Sequence, residues 1–223
     1  MIKRKLKRKV KPKAKKRKNP ELESEVREIL SDFGENIKFK YLSKGSYAKT
    51  YYFVIKDSEY LKSGEYVIKY FVDPEDYMSN LEINYLKKLS KYGLIPEIFY
   101  INKKFIVMKY IRGVALDSFL KTDSLGRTVS DELSVDDINS ILTKVAKLIR
   151  HWHKLGFSHN DLHDGNILIT ESGKIYLIDP KSDEMGRLYS PNRDIRFFKN
   201  LYCDINYDTP RLFIEHHLKE LFP

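Results

Sequence analysis

The stretch SHNDLHDGNILI, from Ser158 to Ile169, places two His, two Asp and two Asn within twelve residues before the chain turns apolar. Polar groups at this density bind a metal, carry out catalysis or fill a loop. A zinc cluster would have to gather His151, His153, His159 and His163, whose spacing runs across a helix end and a loop and does not match a zinc-ligand pattern. Asp161, Asn166 and Asp179 form a different set. The apolar runs Ile167–Thr170 and Ile175–Ile178, with a turn over Glu171–Lys174, read as a hairpin. A hairpin brings its ends together, so Asp179 returns beside Asn166. One carboxylate and one amide then offer hard oxygens of the kind Mg²⁺ takes when phosphate and water complete its shell. Asp161 is left to meet a substrate hydroxyl.

These residues need elements to hold them. Asn19-Pro20 reads as an N-cap and first helical position, opening a short helix over Glu21–Ser31. Three strand-like runs follow, Ile37–Leu42, Thr50–Lys56 and Glu65–Phe71, rich in Tyr, Phe, Val and Ile. Leu81, Tyr85, Leu89 and Tyr92 recur at helical spacing, and Gly93 is a stop signal. Two more strands, Glu97–Tyr100 and Phe105–Tyr110, end at Arg112-Gly113. A short helix near Leu116–Leu120 and a polar loop from Thr122 to Glu132 lead to a long amphipathic helix, about Ser134 to Leu155. Its buried side is Ile138, Ile141, Leu142, Val145, Leu148, Ile149 and Trp152. Helices near Arg193–Tyr202 and Pro210–Leu221 close the chain. The order is α+β: an antiparallel sheet with one main helix, then a mostly helical half.

At this point the chain resembles the protein-kinase-like superfamily over most of residues 37–202. SHNDLHDGNIL is similar to the catalytic loop H-R-D-L-x-x-x-N, with His159 at the structural His position, Asp161 as catalytic Asp and Asn166 as metal ligand. Asp179 stands where the metal-binding Asp opens D-F-G. EYVIKYF resembles the strand V-A-I-K and makes Lys69 the phosphate-binding lysine, with Glu82 in NLEINYLKKL as its ion-pair partner. FIVMKYIRG looks like gatekeeper and hinge, Met108 then Lys109, Tyr110 and Ile111, whose backbone groups would meet adenine. LSKGSYAKTY resembles the glycine-rich loop, so Leu42, Gly45, Ser46 and Tyr47 would cover the phosphates. The resemblance implies a bilobal fold with a five-stranded antiparallel N-lobe over 19–110 and a truncated C-lobe over 111–223. It also implies ATP and Mg²⁺ (or Mn²⁺) as cofactors.

Several positions depart from the family pattern. Ser43 and Ala48 replace two loop glycines. Asn160 replaces the Arg that pairs with a phosphorylated activation segment, and His163 stands where Ser/Thr kinases carry a Lys. Asp179-Pro180 replaces D-F-G, no A-P-E follows, and the segment from about Lys181 to Asn192 is short. Asp194 in NRDIRFF would be the buried Asp that braces the catalytic loop. The D-x-H loop resembles RIO-like and aminoglycoside-phosphotransferase-like atypical kinases. The expected activity is transfer of the ATP γ-phosphate to Ser/Thr of a protein, with Ser43, Ser46 and Thr50 as sites of self-modification. A small-molecule hydroxyl kinase and a nucleotide-binding pseudokinase scaffold are the rivals.

Composition sets the outer bounds. The chain has 223 residues, 42% hydrophobic and 13% aromatic, enough for a real core. Its net charge of +10 is concentrated in residues 1–18, which hold twelve Lys/Arg and no acid and leave a body of 29 basic and 31 acidic residues. Twelve like charges repel, so a tail without stable structure is expected, with reach for nucleic acid or another acidic partner. Ile2, Leu6, Val10 and Ala14 recur every four residues, which permits a transient helix. The segment lacks the apolar core of a secretory signal, and no run approaches the length of a membrane span. The single Cys203 offers no disulfide framework, and a soluble, intracellular, cytoplasmic setting is expected.

Overall fold

The computed structural model describes residues 20–45, 47–56, 58–122, 124, 128–130, 132–182, 191–206 and 211–222. The basic tail, Ser46, and the acidic pair Asp183 and Glu184 lie outside the described residues. Two compact units divide between Tyr110 and Ile111.

The first unit begins with α1 (Pro20–Ser31), then β1 (Phe39–Lys44), β2 (Ala48–Ile55) and β3 (Gly64–Phe71). Helix α2 (Tyr77–Ser90), β4 (Ile98–Ile101) and β5 (Phe105–Lys109) follow. All five strands pair antiparallel in the order β1-β2-β3-β5-β4. Because strand side chains alternate between faces, Tyr66, Ile68 and Tyr70 share one face of β3 while Val67 and Lys69 share the other. The first face continues through Tyr51, Phe53 and Ile55 of β2 and Phe105 and Val107 of β5, and it packs on Val26, Leu30 and Phe33. Helix α1 is therefore the lid of an aromatic core. Glu25 of α1 fixes its seat by accepting the Tyr70 hydroxyl and pairing with Lys104 at 3.1 Å. Burial and the Glu25 carboxylate together push the Tyr70 hydroxyl well above its ordinary range. The other face holds Lys69 in register with Thr50 and Ile106, and Val67 in register with Met108.

The second unit contains β6 (Gly113–Ala115), a 3₁₀ turn (Leu116–Phe119), the short pair β7 (Lys121–Thr122) and β8 (Thr128–Val129), and α3 (Val135–Lys154). A second 3₁₀ turn (Asp164–Asn166), β9 (Ile167–Thr170), β10 (Ile175–Leu177), α4 (Pro191–Ile205) and α5 (Arg211–Leu221) complete it. Helix α3 starts with a capping box: the Ser134 hydroxyl accepts the Asp137 N–H at 3.1 Å and the Asp137 carboxylate takes the Ser134 N–H. It buries Ile138, Ile141, Leu142, Val145, Ala146, Ile149 and Trp152 on one stripe, while Leu148 stays half-buried. The helix ends on Gly156 at φ +80°, with Phe157 N–H on the Trp152 carbonyl at 3.0 Å and Gly156 N–H on the His153 carbonyl at 3.0 Å. A left-handed glycine closes the helix in this way and turns the chain back on itself, which delivers it into SHND.

The expected hairpin is β9–β10, and β6 joins it on the other side to make a three-stranded sheet, β10-β9-β6. No local periodicity in the sequence announces β6. It is three residues long, begins with glycine, and pairs Gly113 with Thr170 far along the chain.

Candidate active site

In the first unit, β3 and α2 bring Lys69 and Glu82 together. Lys69 is 8% exposed, Glu82 is 6% exposed, and the ammonium and carboxylate form a direct ion pair. Helix α2 is set for this by Asp76, whose carboxylate accepts the Ser79 N–H at 2.8 Å and caps the helix. Glu82 then shares the buried side of the helix with Ser79, Ile83, Tyr85, Leu86 and Leu89.

The turn between β1 and β2 carries the glycine-rich stretch. Leu42, half-buried, sits where the β1–β2 register slips, since Tyr41 pairs with Tyr51 and Ser43 with Thr50. The Gly45 N–H donates to the Ala48 carbonyl at 2.8 Å, and Gly45 and Tyr47 are both exposed. A Cβ at Gly45 would meet only the Ala48 oxygen, at an ordinary 3.5 Å. The folded chain alone makes no demand for glycine there. Ser43 is exposed, whereas Thr50 is half-buried in mid-strand.

Met108 is half-buried on β5. The expected hinge gives up two of its donors to the sheet: Lys109 N–H goes to the Glu97 carbonyl at 2.8 Å and Tyr110 N–H to the Glu65 carbonyl at 3.1 Å. Of the three expected hinge residues, Lys109 and Tyr110 thus spend their N–H groups on the sheet.

In the second unit, one buried carboxylate organises the loop. Asp194, in the first turn of α4 and 1% exposed, accepts His159 N–H at 2.7 Å, Asn160 N–H at 2.9 Å and His153 Nε2–H at 3.1 Å. Hydrogen bonds to a carboxylate are the stronger kind, and these tie α3, the loop and α4 to one point. The His159 ring lies on Trp152 with centroids 5.6 Å apart and donates from Nε2 to the Ile178 carbonyl at 2.8 Å. Burial holds the His159 imidazole below its ordinary value, against the opposing pull of Asp194, the Ile178 carbonyl, Asp179 and Asp161. It is a neutral structural strut.

Asn166 is 7% exposed, and its Nδ2 donates to the Asp161 carbonyl at 2.9 Å. That bond fixes the amide's sense and leaves Oδ1 as its acceptor atom. The Ile178 N–H donates to the Asn166 carbonyl at 3.0 Å, which places Asp179 one residue from that contact. Asp179 itself is half-buried at φ 57°, a left-handed conformation that non-glycine residues adopt at a cost of about 1 kcal/mol or more. Two protein oxygens, one carboxylate and one amide, fit a magnesium ion that draws its remaining ligands from phosphate and water.

One partner of Asp161 was not read from the sequence. Lys181 Nζ lies 2.6 Å from Asp161 Oδ2. Neither periodicity nor motif marks Lys181; only its place two residues beyond Asp179 could have drawn notice.

A twisted antiparallel sheet whose buried lysine meets a helix glutamate, and a helical unit whose braced loop presents Asp161 and Asn166 beside the end of a hairpin, together define a protein kinase fold. Comparison with known proteins agrees: residues 37–213 match the protein kinase domain, and the chain belongs to that family of enzymes. It is similar to serine/threonine-protein kinase PknD of Chlamydia caviae, with 29% identity over 45% of this chain and 12% of that protein. It is similar to the probable serine/threonine-protein kinase PknB of Bifidobacterium longum, with 31% identity over 34% of this chain and 10% of that one. The maternal embryonic leucine zipper kinase of Xenopus tropicalis shows 26% identity over 67% of this chain and 23% of its own length. The chain thus spans a quarter or less of each of these relatives.

Proposed function

We propose that the chain transfers the γ-phosphoryl group of ATP to Ser or Thr hydroxyls of a protein, itself included. The observation that carries this reading is the buried Lys69–Glu82 pair. Burying two charges costs several kcal/mol each, and well-packed apolar residues would stabilise the fold as well or better. The pair makes sense as a cation pre-positioned for phosphate.

In this reading Lys69 binds the phosphates and Glu82 fixes its rotamer. The β1–β2 turn at Gly45 and Tyr47, next to Leu42, covers the phosphates, and its glycine lets the main chain come close. Met108 and the 109–111 stretch border the base. Asp179 and Asn166 Oδ1 would hold Mg²⁺, which neutralises phosphate charge when bound. Asp161 orients the acceptor hydroxyl and takes its proton as the hydroxyl oxygen bonds to phosphorus. The electron pair of the broken phosphorus–oxygen bond leaves with ADP. Asp194 and His159 keep the loop in shape for this.

The loop supports an atypical subtype, similar to RIO-like and aminoglycoside-phosphotransferase-like enzymes. His163 follows the Asp, Asn160 replaces the regulatory Arg, and Pro180 follows Asp179. The Asn160 side chain already secures the following segment, donating from Nδ2 to the Lys181 carbonyl at 2.9 Å. No phosphorylated residue is needed for that contact.

The test is incubation with labelled ATP and Mg²⁺ or Mn²⁺, alone and with a generic protein acceptor, beside Asp161→Ala and Lys69→Ala. Wild type should label itself or the acceptor, and Asp161→Ala should lose about a hundredfold in rate or more. A wild type that binds nucleotide yet transfers nothing sinks the enzyme reading in favour of a scaffold. An Asp161→Ala variant as fast as wild type sinks the assignment of Asp161.

A further inference from the structure

We propose that Lys181 is a second active-site cation, shared between the Asp161 carboxylate and the phosphoryl group in flight. The inference rests on the phosphotransferase reading above and adds a residue to it.

The geometry starts from the main chain. The Lys181 N–H donates to the His159 carbonyl at 3.0 Å, and the Lys181 carbonyl accepts Asn160 Nδ2 at 2.9 Å. Lys181 is thus held from both sides against the catalytic loop. Asn160 makes its half of that clamp while 1% exposed and at φ 62°, a left-handed conformation to which Asn is better suited than most residues. From this fixed base the side chain reaches Asp161, with Nζ 2.6 Å from Oδ2.

The position from which the sequence pattern leads one to expect a lysine is occupied differently. His163 lies two residues after Asp161, and its Nδ1 accepts the Gly165 N–H at 3.2 Å, capping the 3₁₀ turn. Its ring is packed so closely on Gly165 that a Cβ there would lie 2.9 Å from the imidazole. His163 therefore faces the turn. The cation beside Asp161 comes instead from the irregular segment after β10, two residues beyond Asp179.

Stability does not explain the pair. The two side chains are 37% and 27% exposed, and ion pairs with this much solvent contribute little. Chemistry does explain it. A phosphoryl group in transfer spreads negative charge over three oxygens, and Asp161 adds another anion next to the acceptor. An ammonium has three N–H donors; with one on Asp161 Oδ2, the others are available to phosphoryl oxygens. Binding at Oδ2 also leaves Oδ1 to receive the hydroxyl proton as the new oxygen–phosphorus bond forms and ADP departs.

The test uses the full chain and three variants: Lys181→Met, Lys181→Arg, and Lys181→Met combined with His163→Lys. Affinity for ATP and for ADP is measured with Mg²⁺ present, beside steady-state transfer. For Lys181→Met the ATP-to-ADP affinity ratio should fall about tenfold with ADP affinity unchanged, and kcat should fall about a hundredfold or more with little change in acceptor KM. Lys181→Arg, and the lysine moved to position 163, should each recover part of both losses. An unchanged ATP-to-ADP ratio in Lys181→Met overturns the proposal. So does an equal fall in ADP affinity, which would mark Lys181 as merely structural, or a relocated lysine that raises neither value. If wild type binds both nucleotides without transfer, the kinase reading fails while the affinity ratio still decides the fate of Lys181. A chain that binds neither nucleotide overturns both.

Discussion

A single carboxylate decides the shape of the catalytic loop. Asp194 accepts two buried main-chain N–H groups, at His159 and Asn160, and the His153 ring. Replacement by Ala strands both N–H groups away from water at about 1–3 kcal/mol each. Asp194→Ala should therefore lose about 3 kcal/mol in urea unfolding, while Asp194→Asn, which keeps one acceptor oxygen, should lose less. Equal losses would show that cavity formation rather than hydrogen bonding sets the cost. His159 supplies the pH dependence. Burial holds its imidazole below the ordinary value in the folded chain, whereas in the unfolded chain it takes up a proton as pH falls through about 6.5. Below that value the unfolded state binds more protons, so this contribution to stability is present at neutral pH and is lost on acidification. The slope is at most about 1.4 kcal/mol per pH unit and ends once the folded value is passed. Unfolding midpoints of wild type and His159→Asn between pH 7.5 and 5 should converge on the acid side. Parallel curves would mean that His159 is not the group responsible.

At the scale of elements, α1 and the β1–β2 turn make opposite kinds of contribution. Helix α1 exists to cover a sheet face. Leu30 is 1% exposed against Tyr51, Phe53, Ile68 and their neighbours, so Leu30→Ala should cost about 3 kcal/mol through lost transfer energy and a cavity. The β1–β2 turn is exposed, and Gly45 has room for a methyl group. Gly45→Ala should leave the unfolding midpoint unchanged and weaken ATP binding. Loss of stability with intact affinity would reverse that assignment. The sequence made both elements legible as a helix and a turn, because acids after Asn19-Pro20 and the small residues around Gly45 are local signals. It did not show what α1 covers, since the apolar alternation of β2, β3 and β5 says which residues share a face and not what lies against it. The same limit hid β6, whose partner is more than fifty residues away, and Lys181, whose meaning lies in a main-chain clamp. Asn160 was conspicuous as a residue type, but its buried left-handed backbone and its bond to Lys181 are products of the tertiary fold.

For the molecule as a whole, charge is divided more sharply than structure. The chain carries +10 overall, yet without residues 1–18 it holds 29 basic against 31 acidic residues. Among the described residues no helix is long and apolar enough to cross a membrane. Twelve Lys/Arg with no acid in residues 1–18 give that segment the attraction of a polycation. Such attraction reaches only about 8 Å in physiological salt and is displaced by counterions. The near-neutral body has no comparable excess to offer a polyanion. Affinity of the full chain for a short DNA duplex should therefore fall steeply as salt rises, with a log–log slope of several units at roughly 0.9 per phosphate neutralised. Deleting residues 1–18 should bring the slope close to zero while ATP turnover by the same preparation stays at the wild-type rate, because every residue assigned to phosphate, metal or acceptor lies between Leu42 and Asp194. If the shortened chain bound the duplex as tightly and with the same salt slope, the polyanion contact would belong to the folded body. If turnover fell with the deletion, the tail would have to be counted among the parts that serve catalysis.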